Sequence, residues 1–342
     1  MATQTLLSQN LVLGGQYEKP QLESKNHTTK QSSLQNQNTE SLPLEPYDYS
    51  LSNITVLSHD KNPPSVEFVH FLDSDDLLTL DCIEKCLECI GDCDVVWHEM
   101  DCLYEDGIKP KETGGLLESL GISKEEAKAK SFRAPRLWER SRYFAWTPHG
   151  LFRASLLGDL RFCADIKAED VPFGARLFVA ANGIKIGGFV GYIYRIRANS
   201  VSDYTLNENL PDRKVAPFMQ DMARCFSRSY ELSTYYNSYS YAMLCLCIER
   251  LRRGLDASKA DLNDGLIGLI AKHIDHAFFG ISFESDPRDV KGLLMELRPY
   301  IGLVKNKRIR RAYLYPRWAR FLDLVRMPDV YWRRFREKFG RG

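Results

Sequence analysis

The sequence predicts an α/β fold in which a mixed sheet is followed by a helical C-terminal region. Residues 66–72 form an apolar, β-branched and aromatic run of strand length. Apolar residues at helical spacing follow between Leu80 and Ile90, and residues 94–98 have the pattern of a second short strand. Parallel neighbours in a sheet must be joined by a crossover, which is usually a helix. This strand–helix–strand order therefore indicates parallel strands.

The remaining elements are predicted from periodicity and from helix-end signals. Ser123 and Glu126 form a Ser-x-x-Glu capping box, and Gly183 lies just beyond a helical pattern that it is suited to end. Strands are predicted at 145–152 and 184–196, and helices at 123–130, 170–181, 212–230, 239–253, 258–278 and 287–300.

The amino-acid composition limits the classes of protein to which the chain can belong. The chain is 44% hydrophobic and 27% charged, which excludes a wholly disordered, collagen-like or disulfide-knotted protein. Five of the nine cysteines lie between Cys82 and Cys102, a spacing that favours reduced thiols in a cytosolic protein. The start of the chain lacks the pattern of a signal peptide. The longest apolar stretches, 186–194 and 239–248, are about half the roughly 20 residues that span a bilayer. We therefore expect a cytoplasmic protein without a transmembrane helix.

Four segments differ in character. Residues 1–50 are rich in Gln, Asn, Ser and Thr and are predicted to be a disordered polar arm. Residues 51–205 contain the predicted sheet domain, and residues 206–304 are predicted to be helical. Residues 305–342 carry 13 Lys and Arg against three acidic residues, a local charge of +10 in a chain whose net charge is +1. The basic charge is thus concentrated at the C-terminus.

The basic C-terminal segment 305–342 also has an apolar stripe. Its members recur at helical spacing and are Trp318, Phe321, Leu322, Val325, Tyr331, Trp332, Phe335 and Phe339. This pattern favours an amphipathic tail on an anionic membrane surface. The alternative is a terminal helix docked on the core with a solvated basic face. Nucleic-acid binding is disfavoured, because the stripe is not spaced for base stacking.

Three carboxylates follow the first predicted strand. Asp73, Asp75 and Asp76 lie just past its carboxyl end, where open α/β sheets bind their ligands. Their mutual repulsion would be relieved by a divalent cation, and oxygen ligands suit Mg²⁺ or Mn²⁺, which complete their shells with water and substrate phosphates. This pattern predicts a metal–diphosphate site. The alternative is that Asp75 or Asp76 simply caps the helix that follows.

Several ordered motifs resemble the inverting GT-A glycosyltransferases of family 2. Phe71-Leu-Asp-Ser-Asp-Asp-Leu77 is similar to the strand that carries the family's Asp-x-Asp motif. Glu169-Asp-Val-Pro-Phe-Gly-Ala-Arg-Leu-Phe178 is similar to its Glu-Asp helix, and residues 191–200 and 146–153 resemble the segments that flank this helix in the family. The resemblance covers residues 53–203 approximately.

The resemblance implies a GT-A-like (Rossmann-like) catalytic domain and a metal-dependent, inverting sugar transfer. The donor would be a nucleotide-sugar, a UDP-sugar in particular, and the acceptor a saccharide or a lipid-linked saccharide. It also implies a bacterial pathway of surface-polysaccharide or lipopolysaccharide (lipooligosaccharide) biosynthesis and a peripheral position at the inner membrane.

The same resemblance implies roles for individual residues. Asp75 would bind the metal, Asp73 would face the ribose or the metal, and Asp76 would support the site. Asp170 would be the base that takes the proton of the acceptor hydroxyl, while the cation stabilises the departing diphosphate. Glu169 would hold the acceptor or serve as the base instead. Outside the family context, Glu169 and Asp170 are an ordinary acidic pair at a helix start.

The chain departs from the family pattern before Asp73. Family members have a longer segment there, which builds the uracil pocket, whereas this chain has 72 residues, of which 1–50 are predicted to be disordered. We therefore expect a GT-A-like sheet that is incomplete at its N-terminus. Three interpretations stay open: an enzyme with little activity alone, a partner-dependent subunit whose missing half comes from a second chain, and a non-catalytic remnant that binds at the membrane surface.

Four further residues are candidates for phosphate or acceptor contacts, namely Trp146, His149, Arg195 and Arg197. His149 is a candidate because it follows the Trp-Thr-Pro segment that precedes the Glu-Asp pair. Arg195 and Arg197 either reach a phosphate or cover the edge of the sheet.

The cysteines of the first predicted helix invite a zinc hypothesis. Cys82, Cys86 and Cys89 lie along one side of that helix, and Cys93 follows it. Structural zinc sites generally draw ligand pairs from separate segments, so packed, buried thiols are the favoured interpretation. His98 is expected to be a half-buried, hydrogen-bonded side chain.

Overall fold

The computed structural model describes residues 10–14, 66–105, 114–141, 144, 146, 149–158, 160–196, 215, 217–256 and 258–316. For residues 10–14 only the backbone is described. The predictions for the rest of the polar arm, for Arg197 and for the tail beyond residue 316 lie outside the described residues.

A six-stranded mixed sheet forms the centre of the fold. Its strands are β1 (Asn10–Gly14), β2 (Phe68–Leu72), β3 (Leu77–Leu78), β4 (Val95–Tyr104), β5 (Gly150–Arg153) and β6 (Ile184–Ile196). They are ordered β1-β2-β5-β4-β6-β3. Strands β4 and β6 pair in parallel, and every other pair in this sheet is antiparallel. The predicted mixed α/β fold is confirmed.

The predicted strand–helix–strand unit is present with a strand inserted into it. Helix α1 (Cys82–Ile90) connects β2 to β4, but these strands are not neighbours. Strand β5 lies between them and is antiparallel to both. Strands β2 and β4 therefore run in the same direction, as the crossover requires. The parallel neighbour of β4 is β6, which comes much later in the chain.

Part of the predicted disordered arm is ordered. Residues Asn10–Gly14 pair antiparallel with β2 along its whole length, from Asn10 opposite Leu72 to Gly14 opposite Phe68. The short apolar run at 11–13 has strand propensity that the surrounding Gln- and Asn-rich composition conceals. This pairing occupies backbone groups of β2 that would otherwise form an open sheet edge.

Ten helices accompany the sheet in the described part of the chain. They are α1 (Cys82–Ile90), α2 (Leu116–Leu120), α3 (Lys124–Ala129), α4 (Ala134–Arg140), α5 (Asp170–Ala180), α6 (Gln220–Ala223), α7 (Ser229–Arg253), α8 (Ala260–Phe278), α9 (Val290–Glu296) and α10 (Lys307–Leu314). The capping box at the start of α3 is confirmed, since the Ser123 hydroxyl accepts a hydrogen bond from the Glu126 amide at 3.1 Å. The predicted helical C-terminal region is confirmed as well. Among the described residues, no helix has the length and apolar character that a bilayer crossing requires.

The two faces of the sheet bury different helices. On one face, α1 covers a small apolar cluster that includes Val96 and Leu151. On the other face, Val95 and Trp97 join a much larger core that continues through α5 into α7 and α8. The alternation of Val95, Val96 and Trp97 between these cores follows from the two-residue period of a strand. The catalytic candidates lie where β2 ends beside the start of α5.

Candidate active site

The acidic strand end is a tight turn anchored to β6. The Asp76 amide donates to the Asp73 carbonyl at 3.1 Å, and the chain then enters β3. Asp76 is buried, and its two carboxylate oxygens accept hydrogen bonds from the Tyr192 hydroxyl at 2.5 Å and from the Arg195 amide at 2.8 Å. Both oxygens are thus engaged by β6. This geometry suits the supporting role that the sequence assigned to Asp76.

Asp73 and Asp75 lie in half-buried positions beside that anchor. The Asp73 amide donates to the Tyr192 hydroxyl, with an N···O distance of 3.4 Å. Burial raises the pKa of Tyr194, and the negative charges of Asp76, Asp75 and Asp73 raise it further. All three carboxylates therefore act on one edge of β6.

Tyr192 is a site residue that the sequence analysis did not single out. Its hydroxyl donates to Asp76 and accepts from the Asp73 amide, so it fixes both ends of the turn. Burial raises its pKa, and so does the hydrogen bond to Asp76. The available signal was the segment 191–200, which contains Tyr192 and Tyr194, but sequence alone does not show which tyrosine faces the acidic turn.

The Glu-Asp pair opens α5, as predicted. The preceding loop contains two residues in the left-handed region, Asp165 with φ 57° and Ala168 with φ 59°. Non-glycine residues adopt this conformation at a cost, and such strain is concentrated at functional sites. The two left-handed residues bend the chain sharply just before Glu169 and Asp170.

The environment of this pair suits proton transfer near neutral pH. Burial raises the pKa of Asp170 to about 7, and the charges of Glu169 and Asp73 add to this effect. Burial also raises the pKa of Glu169. A carboxyl group whose pKa lies near the working pH is suited to act as a general base.

The structure brings the two acidic motifs together. The charge of Asp73 contributes to the raised pKa of Asp170, although the two residues lie far apart in sequence. Phe71, two residues before Asp73, packs edge-on against Phe173, three residues after Asp170, with ring centroids 5.5 Å apart. The carboxyl end of β2 and the start of α5 therefore border the same site.

His149, another of the predicted contact residues, lies beside Tyr192. Its ring is 5.7 Å from that of Tyr192. Burial lowers the pKa of His149 to about 3, and positive charge on His98 and His70 would lower it too. His149 is therefore neutral at pH 7 and could offer a hydrogen bond or a lone pair.

The side chains of Arg195 and Trp146 contact other residues of the fold. The Arg195 guanidinium forms an ion pair with Glu105, with an N···O distance of 2.9 Å, along the sheet edge. Trp146 is fully buried, and its ring packs against Phe152 and Phe178 with centroid distances of 5.5 and 5.7 Å. The structure thus places Trp146 in the core and Arg195 at the sheet edge.

The donor groups at the strand end fit a hard divalent cation. Asp73 and Asp75 supply carboxylate oxygens at a partly open position, while Asp76 holds the turn in place. Mg²⁺ and Mn²⁺ prefer such oxygen ligands, and they usually retain coordination positions for water and phosphate. The arrangement places this acidic turn beside Asp170, whose pKa is about 7.

No protein-family model matches the chain, and no curated protein sequence matches it. Among solved structures, the chain is similar to S. aureus TarS 1-349 in complex with UDP-GlcNAc, with 16% identity and a TM-score of 0.39 over 74% of this chain and 64% of that one. It is similar to the same fragment in complex with UDP, with 15% identity and a TM-score of 0.41 over 75% and 63%. The match to S. aureus TarS covers 74% of this chain and 38% of that chain, with 16% identity and a TM-score of 0.38. The chain spans less than two thirds of the length of these structures.

Proposed function

We propose that this protein is an inverting, metal-dependent glycosyltransferase that uses a nucleotide-sugar donor, in particular a UDP-sugar, and a saccharide or lipid-linked acceptor. The observation that carries the proposal is the meeting of two acidic motifs at one site. Asp73 and Asp75 lie in the turn after β2, and Asp170 begins α5 with a pKa of about 7, to which the charge of Asp73 contributes. The sequence resemblance to GT-A enzymes of family 2 supports the same reaction.

In this proposal the acidic turn after β2 and the Glu-Asp pair of α5 act on opposite faces of the anomeric carbon. Asp73 and Asp75 would hold Mn²⁺ or Mg²⁺, which supplies positive charge for the leaving diphosphate. The acceptor oxygen forms the new bond to the anomeric carbon while the bond to the diphosphate breaks. Asp170 takes the proton of the acceptor hydroxyl. We assign the base to Asp170 rather than Glu169 because burial and the negative charges of Glu169 and Asp73 together raise the pKa of Asp170 to about 7.

Neighbouring residues of the chain position these groups. Asp76 and Tyr192 lock the turn that presents Asp73 and Asp75. Glu169 raises the pKa of Asp170 through its negative charge and would contact the acceptor. These residues bind, orient and tune the site without taking part in bond formation.

Calorimetric titration of the full chain with UDP, with and without Mn²⁺, tests the donor site. We expect Mn²⁺ to strengthen UDP binding, and we expect Asp75→Asn to weaken the metal-dependent binding by at least about tenfold, or about 1.4 kcal/mol. Asp92→Asn is the matched control, because Asp92 is an exposed acid in the turn after α1, far along the sequence from the strand end. It should bind UDP like the wild type.

The absence of UDP binding in folded, Mn²⁺-containing wild-type protein would contradict the proposal. That result would favour a non-catalytic binding protein or a subunit that needs a second chain to complete its donor site. Circular dichroism of the same samples distinguishes a folded protein without a donor site from an unfolded one.

We extend the proposal to the setting of the reaction, a bacterial surface-polysaccharide pathway at the inner face of the membrane. The described part of the basic tail supports binding to a membrane surface. Helix α10 docks through buried Ile309 and through Tyr313, whose ring lies 4.9 Å from that of Phe278. The exposed bases in and just before α10 are Lys305, Lys307, Arg308 and Arg311.

Replacing these four bases with Gln is expected to reduce binding of the full chain to vesicles that contain phosphatidylglycerol. Each base near an anionic surface contributes about 1 kcal/mol, so the bound fraction should fall steeply. Vesicle flotation measures it, and pure phosphatidylcholine vesicles are the control, on which both proteins should bind equally weakly. Equal flotation of the two proteins with anionic vesicles would show that the bases of α10 do not contribute to membrane binding.

A further inference from the structure

A buried cluster of two histidines and one cysteine lies behind the acidic strand end. His70 of β2, His98 of β4 and Cys82 of α1 are all buried, with exposed fractions of 0%, 1% and 0%. The two Nε2 atoms are 2.9 Å apart, and the Cys82 Sγ atom lies 3.8 Å from Nε2 of His70 and 3.7 Å from Nε2 of His98. The sequence analysis expected a half-buried His98 and a packed Cys82, and it did not connect either residue with His70.

The hydrogen bonds of the two imidazoles determine which nitrogen carries the proton. Nδ1 of His70 lies 2.8 Å from the Phe71 carbonyl oxygen, and Nδ1 of His98 lies 2.9 Å from the Glu99 carbonyl oxygen. A carbonyl oxygen only accepts, so each Nδ1 donates its hydrogen. The lone pairs of both Nε2 atoms therefore face each other. An added proton would relieve this repulsion only by placing an imidazolium in a buried site, which is costly.

We propose that His70, His98 and Cys82 bind one Zn²⁺ ion. Zinc bonds of about 2.0–2.1 Å to nitrogen and about 2.3 Å to sulfur, at tetrahedral angles, place two nitrogens about 3.3 Å apart and nitrogen and sulfur about 3.6 Å apart. The distances of 2.9, 3.7 and 3.8 Å within the cluster are close to these values. Imidazole and thiolate are donors that select zinc over the Mg²⁺ or Mn²⁺ suited to carboxylates.

The surroundings supply the outer shell and a fourth ligand. Both imidazoles donate Nδ1–H to backbone carbonyls, the partner that zinc-bound histidines commonly have. Cys86 is fully buried one turn after Cys82 on α1, so the two thiols lie on the same side of that helix. Two thiolates with two neutral imidazoles would balance the charge of Zn²⁺, so the buried site would carry no net charge. The ligand atoms of His70, His98 and Cys82 lie within 4.8 Å of one another, and the Cys86 thiol lies outside this group. We assign Cys86 as a fourth ligand that reaches the ion by a change of side-chain rotamer.

The close approach of β6 to this cluster requires glycine. A Cβ atom at Gly191 would lie 2.8 Å from His98 Cε1 and 2.9 Å from Cys82 Sγ. Gly191 thus leaves the space that the ring and the thiol occupy. The ion would join β2, β4 and α1 on both sides of the acidic turn, because His70 precedes Asp73 by three residues and Cys82 follows Asp76 by six. Its role would be structural: it would fix the ends of that turn.

Titration of the reduced, metal-stripped full chain with Co²⁺ and then with Zn²⁺ tests the proposal. We expect one equivalent of Co²⁺ to produce thiolate-to-cobalt charge-transfer absorption and tetrahedral visible bands, both of which Zn²⁺ then abolishes. Carboxylate ligands do not give the thiolate band, so the acidic strand end does not contribute to it. Asp75→Asn should therefore leave the band unchanged.

Variants separate the assigned ligands from the other thiols. Cys82→Ser and His98→Gln should weaken binding by more than the roughly 10–100-fold that loss of an outer-shell partner costs. Cys89→Ser, on the same helix and only half-buried, is the matched control and should keep the full band. Unchanged Co²⁺ affinity in Cys82→Ser would overturn the assignment.

X-ray absorption of zinc-loaded wild-type protein tests the same ligands without any variant, so the result does not depend on whether a variant folds. We expect a shell of two nitrogen and two sulfur scatterers around zinc. An oxygen-only shell, or no thiolate band in folded and reduced wild-type protein, would overturn the proposal.

Discussion

Asp170→Asn is expected to lower the rate of sugar transfer by about 10²–10⁴-fold, the contribution of a well-placed general base. The amide has nearly the same shape as the carboxylate but cannot take the proton of the acceptor hydroxyl. Binding of UDP with Mn²⁺ should change little, because the proposed metal ligands, Asp73 and Asp75, lie in the turn after β2 rather than on α5. The measurement is UDP release from UDP-glucose and UDP-N-acetylglucosamine with a panel of saccharide acceptors, alongside calorimetric UDP binding.

Glu169→Gln is the matched control for this assignment. Glu169 contributes to the raised pKa of Asp170 through its negative charge, so its neutralisation should lower that pKa. We expect the rate at pH 8 to change little and the acidic limb of the pH profile to move to lower pH. An inactive Glu169→Gln variant beside an active Asp170→Asn variant would reverse the two roles.

The proposed role of Asp170 also predicts how the rate of sugar transfer by the wild-type protein depends on pH. Burial raises the pKa of Asp170 to about 7, and only the deprotonated carboxylate can accept a proton. The rate should therefore be highest above pH 7 and should fall about tenfold for each pH unit well below it. A rate that is flat between pH 5 and pH 8, with substrate saturating, would exclude Asp170 as the base.

Local patterns predicted the parts of this site that depend on one element. The apolar run of β2 ends where the acids begin, so Asp73 and Asp75 had to lie at a strand end. The helix predicted at 170–181 is observed as Asp170–Ala180, and the strand predicted at 184–196 has the observed bounds of β6. These elements have strong periodicity and clear end signals, which act within a few residues.

Features that depend on pairing between distant segments could not be predicted. The insertion of β5 between β2 and β4 decides which side chains of those strands meet, and no local signal encodes it. The meeting of His70 with His98 follows from this insertion. Strand β4 also continues to Tyr104, past its predicted end at 98, because pairing with β6 supports its polar second half. The predicted start of β5 at 145 was wrong, since Trp146 is a buried core residue ahead of the strand and β5 begins at Gly150.

One buried carboxylate near the end of α7 accepts hydrogen bonds from three other residues. Glu249 is 3% exposed and accepts hydrogen bonds from Arg252 Nε at 2.7 Å and from Arg253 Nε at 2.6 Å. The Tyr300 hydroxyl also donates to it. Burial alone would raise the pKa of Glu249, but the hydrogen bonds from Arg252, Tyr300 and Arg253 outweigh burial and lower the pKa to about 2. The folded state therefore strongly favours the ionised form.

Glu249→Gln is expected to lower the free energy of unfolding by about 3 kcal/mol at pH 7. A pKa reduced from 4.5 to about 2 corresponds to this value at about 1.36 kcal/mol per pH unit. Because the pKa is lower in the folded state, the stabilisation is complete above pH 4.5 and is lost as the pH falls towards 2. Urea unfolding of both proteins between pH 7 and pH 3 should show their stabilities converging on the acidic side. Glu139→Gln is the control, since its ion pair with Arg136 is exposed and contributes less than about 1 kcal/mol. A Glu249→Gln variant as stable as this control, or a difference that stays constant down to pH 3, would show that the buried carboxylate does not stabilise the helical region through its charge.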